Sequence, residues 1–111
     1  MNKPINYPLA KLLKEKGFNE LCNSYIDDNG ISHPSYGKNS FSEIRTYIPT
    51  IAEVVMWLYE KYGIWIVSFP TDEGWTFDIF IKTDCVKSES FINFPTEAYF
   101  AAIEYCLKNL I

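Results

Sequence analysis

The chain has 111 residues, of which 48% are hydrophobic and 22% are charged. Compact domains most often contain roughly 100–150 residues, so this length fits one domain over 1–111 and excludes two separate cores. The balance of hydrophobic and charged residues is that of ordinary globular proteins and argues against intrinsic disorder.

The charge balance is acidic, with 10 basic and 14 acidic residues and a formal net charge of -4. Proteins that bind nucleic acid usually present a cationic surface that displaces counterions from phosphates, so general nucleic-acid binding is disfavoured. Lysines do fall close together between Lys3 and Lys16, but Glu15 lies among them. This mixture is typical of a solvated helix face, with a weak polyanion patch as the alternative.

No apolar run approaches the ~20 residues that span a bilayer, and the start of the chain lacks the apolar segment of a secretory signal. We therefore expect a cytoplasmic protein with no membrane contact. Cys22, Cys85 and Cys106 have no paired spacing, which predicts free thiols. The sole histidine, His33, lies in a Ser/Pro/Gly-rich stretch without an obvious base partner and is interpreted as a surface loop residue. We expect no catalytic residue, no metal site and no cofactor.

The first half of the chain predicts a helix, a hairpin and an irregular stretch. Apolar residues recur at helical spacing over about 8–16, and Gly17 is placed to end this helix in a left-handed conformation, which lets Phe18 fold back. The cluster 27–30 ends in Asn-Gly, a strong hairpin-turn signal, so we expect a strand on each side. Residues 32–43 have no periodicity, and two interpretations stay open: a mobile loop, or a binding surface.

A second helix is predicted from about Pro49 or Thr50 to Tyr62, ended by Gly63. Thr50 with Glu53 fits a capping box, although Pro49 at the first helical position is equally compatible. One apolar stripe should face the core, and its members are Ile51, Val54, Val55, Leu58 and Tyr62.

After Gly63 the hydrophobic period changes to two. Residues 64–69 are apolar on both faces and predict a central strand, whereas residues 75–82 alternate and predict an antiparallel strand with one wetter face. Residues 84–94 are expected to form a connection or a short edge strand. A last helix should begin near Pro95 and run to the C-terminus, with Cys106 as a small core residue rather than a nucleophile.

Three carboxylates lie near this hairpin: Asp72, Glu73 and Asp78. Two of them acting together could serve acid–base chemistry or Mg²⁺ binding. A turn and a solvent-facing strand position account for them without special chemistry. Two aromatic residues lie on helix faces that the hydrophobic periodicity predicts to be exposed to solvent. Trp57 either covers a neighbouring loop or belongs to an exposed patch, and Phe100 raises the same question on the last helix.

Three blocks of the sequence carry a resemblance. They are the helix and Gly stop in 9–18, the Pro49-Thr50 helix entry with Trp57-Leu58, and the terminal segment 96–111. Together they resemble a family of small uncharacterised proteins carried by prophages and mobile elements of gut Bacteroidetes. The resemblance implies a phage or prophage accessory protein in a bacterial cytoplasm and brings no ligand site with it. Phe94 and Phe100 depart from the family pattern, which is usually polar at both positions.

We therefore expect a single two-layer α+β domain, with an antiparallel sheet of three to five strands and about three helices packed mainly on one face. The leading functional hypothesis is a non-enzymatic protein that binds a host or phage protein through a patch containing Trp57, Phe100, Tyr36 and Phe41. Self-association stays open as well. The alternative is a single-stranded nucleic-acid binding module that stacks bases on aromatic residues such as Tyr25, Tyr36 and Trp75. A small-molecule enzyme ranks last.

Overall fold

The computed structural model describes residues 3–20, 22, 24–27, 29–34 and 45–111. In these ranges it contains three helices: α1 (Tyr7–Glu15), α2 (Ile51–Tyr62) and α3 (Pro95–Tyr105), the last continuing into a π-helical turn, Cys106–Leu110. The strands are β1 (Ser24–Ile26), β2 (Ser32–Pro34), β3 (Thr46–Tyr47), β4 (Ile64–Thr71), β5 (Gly74–Ile81) and β6 (Asp84–Ile92). They form two antiparallel sheets, in the orders β2–β1–β3 and β4–β5–β6. The predicted α+β class is confirmed, and α2 separates the strands of the two sheets along the chain.

Helix α1 ends as its sequence predicts. Gly17 adopts a left-handed conformation with φ +90°. Its N–H donates to the Lys14 carbonyl at 3.2 Å, and the Phe18 N–H donates to the Leu13 carbonyl at 3.0 Å. This pair of bonds is a Schellman motif, which satisfies the last helical carbonyls and turns Phe18 back over the helix. Phe18 is accordingly buried.

Helix α2 begins with the predicted capping box. Thr50 Oγ1 accepts from the Glu53 N–H at 3.2 Å, and Glu53 Oε1 accepts from the Thr50 N–H at 3.0 Å. Thr50 is therefore the N-cap, and the alternative with Pro49 inside the helix is wrong. Gly63 ends the helix with φ +69°, as predicted. Glycine has no Cβ and therefore adopts this left-handed conformation without a steric cost.

The small sheet contains the predicted hairpin. β1 and β2 flank the Asn-Gly turn, in which Gly30 has φ +80° and donates to the Asp27 carbonyl. The prediction that residues 32–43 are irregular is wrong at its start, since 32–34 form β2 and bond to β1. The rest of that stretch lies outside the described residues.

The larger sheet corrects one prediction and decides between two others. β4 is an edge strand and β5 is central, so the apolar run 64–69 does not mark a central position. Pro70 was the signal for an edge, because a residue without an N–H is tolerated there. Of the two expectations for residues 84–94, the edge strand is confirmed and the connection is wrong, although the strand β6 is long, with nine residues. Its polar sequence fits an edge strand whose side chains are mostly exposed, although Ile92 packs against the core.

The main core lies between the helices and one face of this larger sheet. Ile64 and Ile66 of β4 pair with Ile81 and Ile79 of β5, and this face packs with the buried residues of the helices. The α2 stripe is buried except for Tyr62, which is 36% exposed. Cys106 is fully buried, which raises the pKa of its thiol to about 12 and confirms it as a core residue. Because this face is buried, the side chains that alternate with it point to the opposite face of the sheet.

Gly74 begins β5 in a conformation that only glycine accommodates there. Its φ is +130°, and a Cβ would lie 2.8 Å from the Ile92 carbonyl oxygen. Gly30 also has a positive φ, of +80°, but a Cβ there meets nothing within 4 Å.

We expect Gly30→Ala to lower the free energy of unfolding by about 1–2 kcal/mol. Gly74→Ala should lower it by about 1–3 kcal/mol more, because the steric clash adds to the backbone strain.

Urea unfolding of the two variants and the wild type measures this difference. Equal unfolding free energies for the two variants would show that the approach of Ile92 to Gly74 does not constrain the fold.

Candidate protein-binding groove

Trp57 is not part of an exposed patch. It is 5% exposed and packs edge-to-face against Phe18, with the ring centroids 5.3 Å apart, and against Tyr62 at 5.4 Å. The Schellman motif of α1 brings Phe18 to the face of α2 that the helical pattern marks as wet. Of the two interpretations of Trp57, covering a neighbouring loop is confirmed and surface exposure is wrong.

The other residues of the predicted patch do not join at the surface either. Phe100 is half-buried and packs against the core. It therefore adds little free apolar surface. Tyr36 and Phe41 lie outside the described residues.

An exposed aromatic surface does exist, at the junction of α2 with the larger sheet. Five residues line it: Met56 and Tyr59 of α2, Trp65 of β4, Phe80 of β5, and Lys82 in the β5–β6 turn. We call these residues the aromatic groove. Tyr59 is 52% exposed, Met56 43% and Trp65 38%. The groove has a volume of about 460 Å³, which lies within the range of ligand pockets, although its walls are open to solvent.

Two local features build the groove. Met56 and Tyr59 are three residues apart on α2 and therefore lie on one helix face. Gly63 reverses the chain so that β4 returns beside the end of α2, and the Tyr59 and Trp65 rings meet edge-to-face with their centroids 5.2 Å apart. Phe80 lies opposite Trp65 in the β4–β5 register, which extends the apolar surface onto the next strand.

Lys82 supplies the cation of the groove from a strained position. It is the first residue of the two-residue turn between Ile81 and Asp84, and its φ is +58°. It is the only non-glycine residue in the described ranges with a positive φ. Such turn positions usually carry glycine or asparagine, and backbone strain of this kind tends to be retained at functional sites.

A second cluster lies on the small sheet and corrects the interpretation of His33. His33 is a strand residue, and its Nε2 lies 2.7 Å from Asp27 Oδ2, so it has a carboxylate partner. Its ring stacks on Tyr25 with the centroids 5.3 Å apart, because the two residues are cross-strand neighbours. The Arg45 guanidinium lies 4.2 Å from the centroid of the Tyr25 ring.

This cluster joins the two strands of the hairpin through side-chain contacts. Asp27 Oδ1 also accepts the N–H groups of Asn29 and Ile31, at 2.9 and 3.0 Å. The hydrogen bond with His33, aided by these backbone donors, lowers the pKa of Asp27 below its usual value. The Tyr25 ring is already contacted by His33 and Arg45, and Trp75 packs against the core. Both rings are therefore partly buried by partners within the fold.

The carboxylates and cysteines considered as candidate reactive residues do not form one site in the described residues. Asp72 and Glu73 form the exposed turn after β4, whereas Asp78 lies four residues into β5 and accepts from Ser88 Oγ at 2.6 Å. All three cysteines are free thiols, as predicted. Cys22 is buried, which raises the pKa of its thiol to about 12.

The described residues contain neither a metal-binding cluster nor a membrane-spanning helix. No group of three or more metal-ligating side chains lies together in this part of the chain. None of the helices there is both long and apolar enough to cross a membrane.

Comparisons with known proteins give no match: no protein-family model, no curated protein and no solved structure shows significant similarity to the chain.

The Asp27–His33 contact predicts how stability depends on pH. Because the folded-state pKa of Asp27 lies below its unfolded value, ionised Asp27 stabilises the folded chain at neutral pH. This contribution is lost as the pH falls through the folded-state pKa. We expect Asp27→Asn to destabilise the protein at pH 7 and to have a smaller effect at acidic pH, where Asp27 is protonated.

Urea unfolding of wild type and variant across this pH range measures the effect. Glu15→Gln, at an exposed position of α1, is the matched control for removing a surface carboxylate, and the pH-dependent loss should be specific to Asp27→Asn. A destabilisation by Asp27→Asn that stays constant with pH would contradict the assignment.

Proposed function

We propose that the chain is a non-enzymatic accessory protein that acts by binding another protein through the aromatic groove. The observation that carries this proposal is the clustering of Met56, Tyr59 and Trp65, each more than a third exposed, on one surface. Contiguous apolar patches on a protein surface mark interaction sites more often than isolated rings do. Tyrosine and tryptophan are also among the residues that contribute most to binding energy at protein interfaces.

The chemistry of the groove indicates the kind of segment that it would accept. An apolar or aromatic side chain fits against Tyr59 and Trp65, and a carboxylate of the segment would pair with Lys82. Glu53 and Glu60 lie on the other side of Met56, so an acidic group there would be repelled. The preferred segment thus has an apolar anchor and an acidic residue at the Lys82 end.

The biological setting follows from the sequence resemblance. It implies an accessory protein of a prophage or mobile element, which acts in a bacterial cytoplasm on a host or phage partner. The groove is compatible with this role because it needs no cofactor and no reactive group.

Selection of a random peptide library on the 111-residue chain tests the binding mode. We expect enriched peptides that combine an apolar anchor with a nearby Asp or Glu. Tyr59→Ala should weaken their binding about tenfold, as expected for loss of a ring at the centre of an interface.

Phe94→Ala is the matched control. Phe94 is 61% exposed and follows Ile92 at the end of the sheet opposite the groove, so its loss should leave binding unchanged. The proposal is wrong if no peptides are enriched, or if the enriched peptides bind the Tyr59→Ala variant as tightly as the wild type.

Lys82 allows stability and binding to be separated. Lys82→Gly removes the strain of a side chain at positive φ, so we expect the free energy of unfolding to rise by about 1 kcal/mol. The same variant loses the groove cation and should bind the selected acidic peptides more weakly. Thermal unfolding and peptide titration measure the two effects, and a variant that is more stable but binds equally well would exclude Lys82 from the site.

A further inference from the structure

Strand β4 has one edge that no described strand covers. In the order β4–β5–β6 it pairs only with β5. Within the described ranges, none of its main-chain groups forms a backbone hydrogen bond outside this sheet. An open edge exposes a row of N–H and C=O groups that can pair with another chain, and natural proteins usually protect such edges with charges, bulges or short strands.

The two edges of the sheet differ in this protection. β6 carries Asp84, Lys87 and Glu89, and its register against β5 is interrupted twice. β4 has eight residues without a single charge, and its register is continuous. Pro70, its only edge-protecting residue, comes next to last in the strand. β4 is therefore the edge that is open to pairing.

The outer face of β4 is symmetric about Val67. Trp65 and Phe69 lie two residues to either side and project from the same face as Val67. They are 38% and 37% exposed. If two copies of β4 pair antiparallel about a two-fold axis at Val67, Val67 faces Val67 of the partner subunit and Trp65 faces Phe69 of the partner subunit. Aromatic cross-strand pairs of this kind stabilise antiparallel sheets.

Charges at the two ends of the sheet favour the same alignment. Asp72 and Glu73 form the exposed turn that follows β4. Lys82 is exposed at the opposite end, beside the start of β4, because Ile64 pairs with Ile81. In the antiparallel alignment the acidic turn of each copy approaches the Lys82 end of the other copy. A parallel alignment would instead bring the two acidic turns together, whereas the other end carries both Lys82 and Asp84.

A specific interface needs about 1,000 Å² of buried surface. Two paired strand backbones bury little apolar area by themselves, so the register that also buries four aromatic rings is the favoured one. We propose that the protein forms a two-fold symmetric homodimer through β4, which joins two three-stranded sheets into one six-stranded antiparallel sheet. The dimer does not require a ligand in the aromatic groove, and its failure would leave the groove proposal standing.

Sedimentation equilibrium over a concentration series tests the dimer. We expect the wild type to dimerise and Val67→Lys to raise the dissociation constant at least tenfold, because it places two lysines face to face. Val86→Lys is the matched control, since Val86 is 40% exposed on β6, and it should dimerise like the wild type. Circular dichroism verifies that each variant is folded. A wild type that stays monomeric up to roughly 1 mM, where even weak association is visible, would overturn the proposal.

Disulfide trapping tests the register. Residues directly opposed in an antiparallel pair have Cα atoms about 4.5–5.5 Å apart, within reach of a disulfide. In a Cys85→Ser background, Val67→Cys should form a covalent dimer on mild oxidation, while the buried Cys22 and Cys106 do not compete. Phe69→Cys in the same background faces Trp65 of the partner subunit and should crosslink at least tenfold more slowly. Equal rates for the two variants, or no covalent dimer with Val67→Cys, would overturn the register.

Discussion

Burial of one face of the β4–β5–β6 sheet is the constraint on which the surface of this protein depends. Successive side chains of a strand point to opposite faces, so placing Ile64 and Ile66 in the core forces Trp65 and Val67 outward. On β5, burial of Ile79 likewise sends Phe80 to the outer face. The exposed aromatic rings are therefore a direct consequence of how the core is packed.

The termini of the helices were predictable because their signals are local. Gly17, Gly63 and the Thr50–Glu53 capping box act within a few residues, and each occurs where the sequence indicates. The position of β4 in the sheet was not predictable in this way. An apolar run on both faces fits a central strand by burial alone, yet β4 is an edge strand whose outer face is left open. Only Pro70 pointed to the edge.

The candidate site shows the same division between local and tertiary information. Helical periodicity correctly places Trp57 opposite the core stripe of α2, but that face is covered by Phe18, which a helical projection cannot include. Met56 and Tyr59 lie on α2 at a spacing that the sequence shows, but nothing local indicates that Trp65 returns beside them. That contact depends on the direction in which the chain leaves Gly63. The Asp27–His33 contact depends likewise on the register of the β1–β2 hairpin.

Exposed aromatic rings next to an uncharged strand edge are a liability unless something covers them, because such edges promote aggregation. The chain places its protective charges on β6, at Lys87 and Glu89, and leaves β4 without any. A structure that protects one edge and not the other is expected where the open edge has a partner. Trp65 belongs both to the open strand and to the groove beside it. The aromatic groove and the β4 edge therefore form adjoining parts of one surface, which the fold exposes through the same alternation that fills its core.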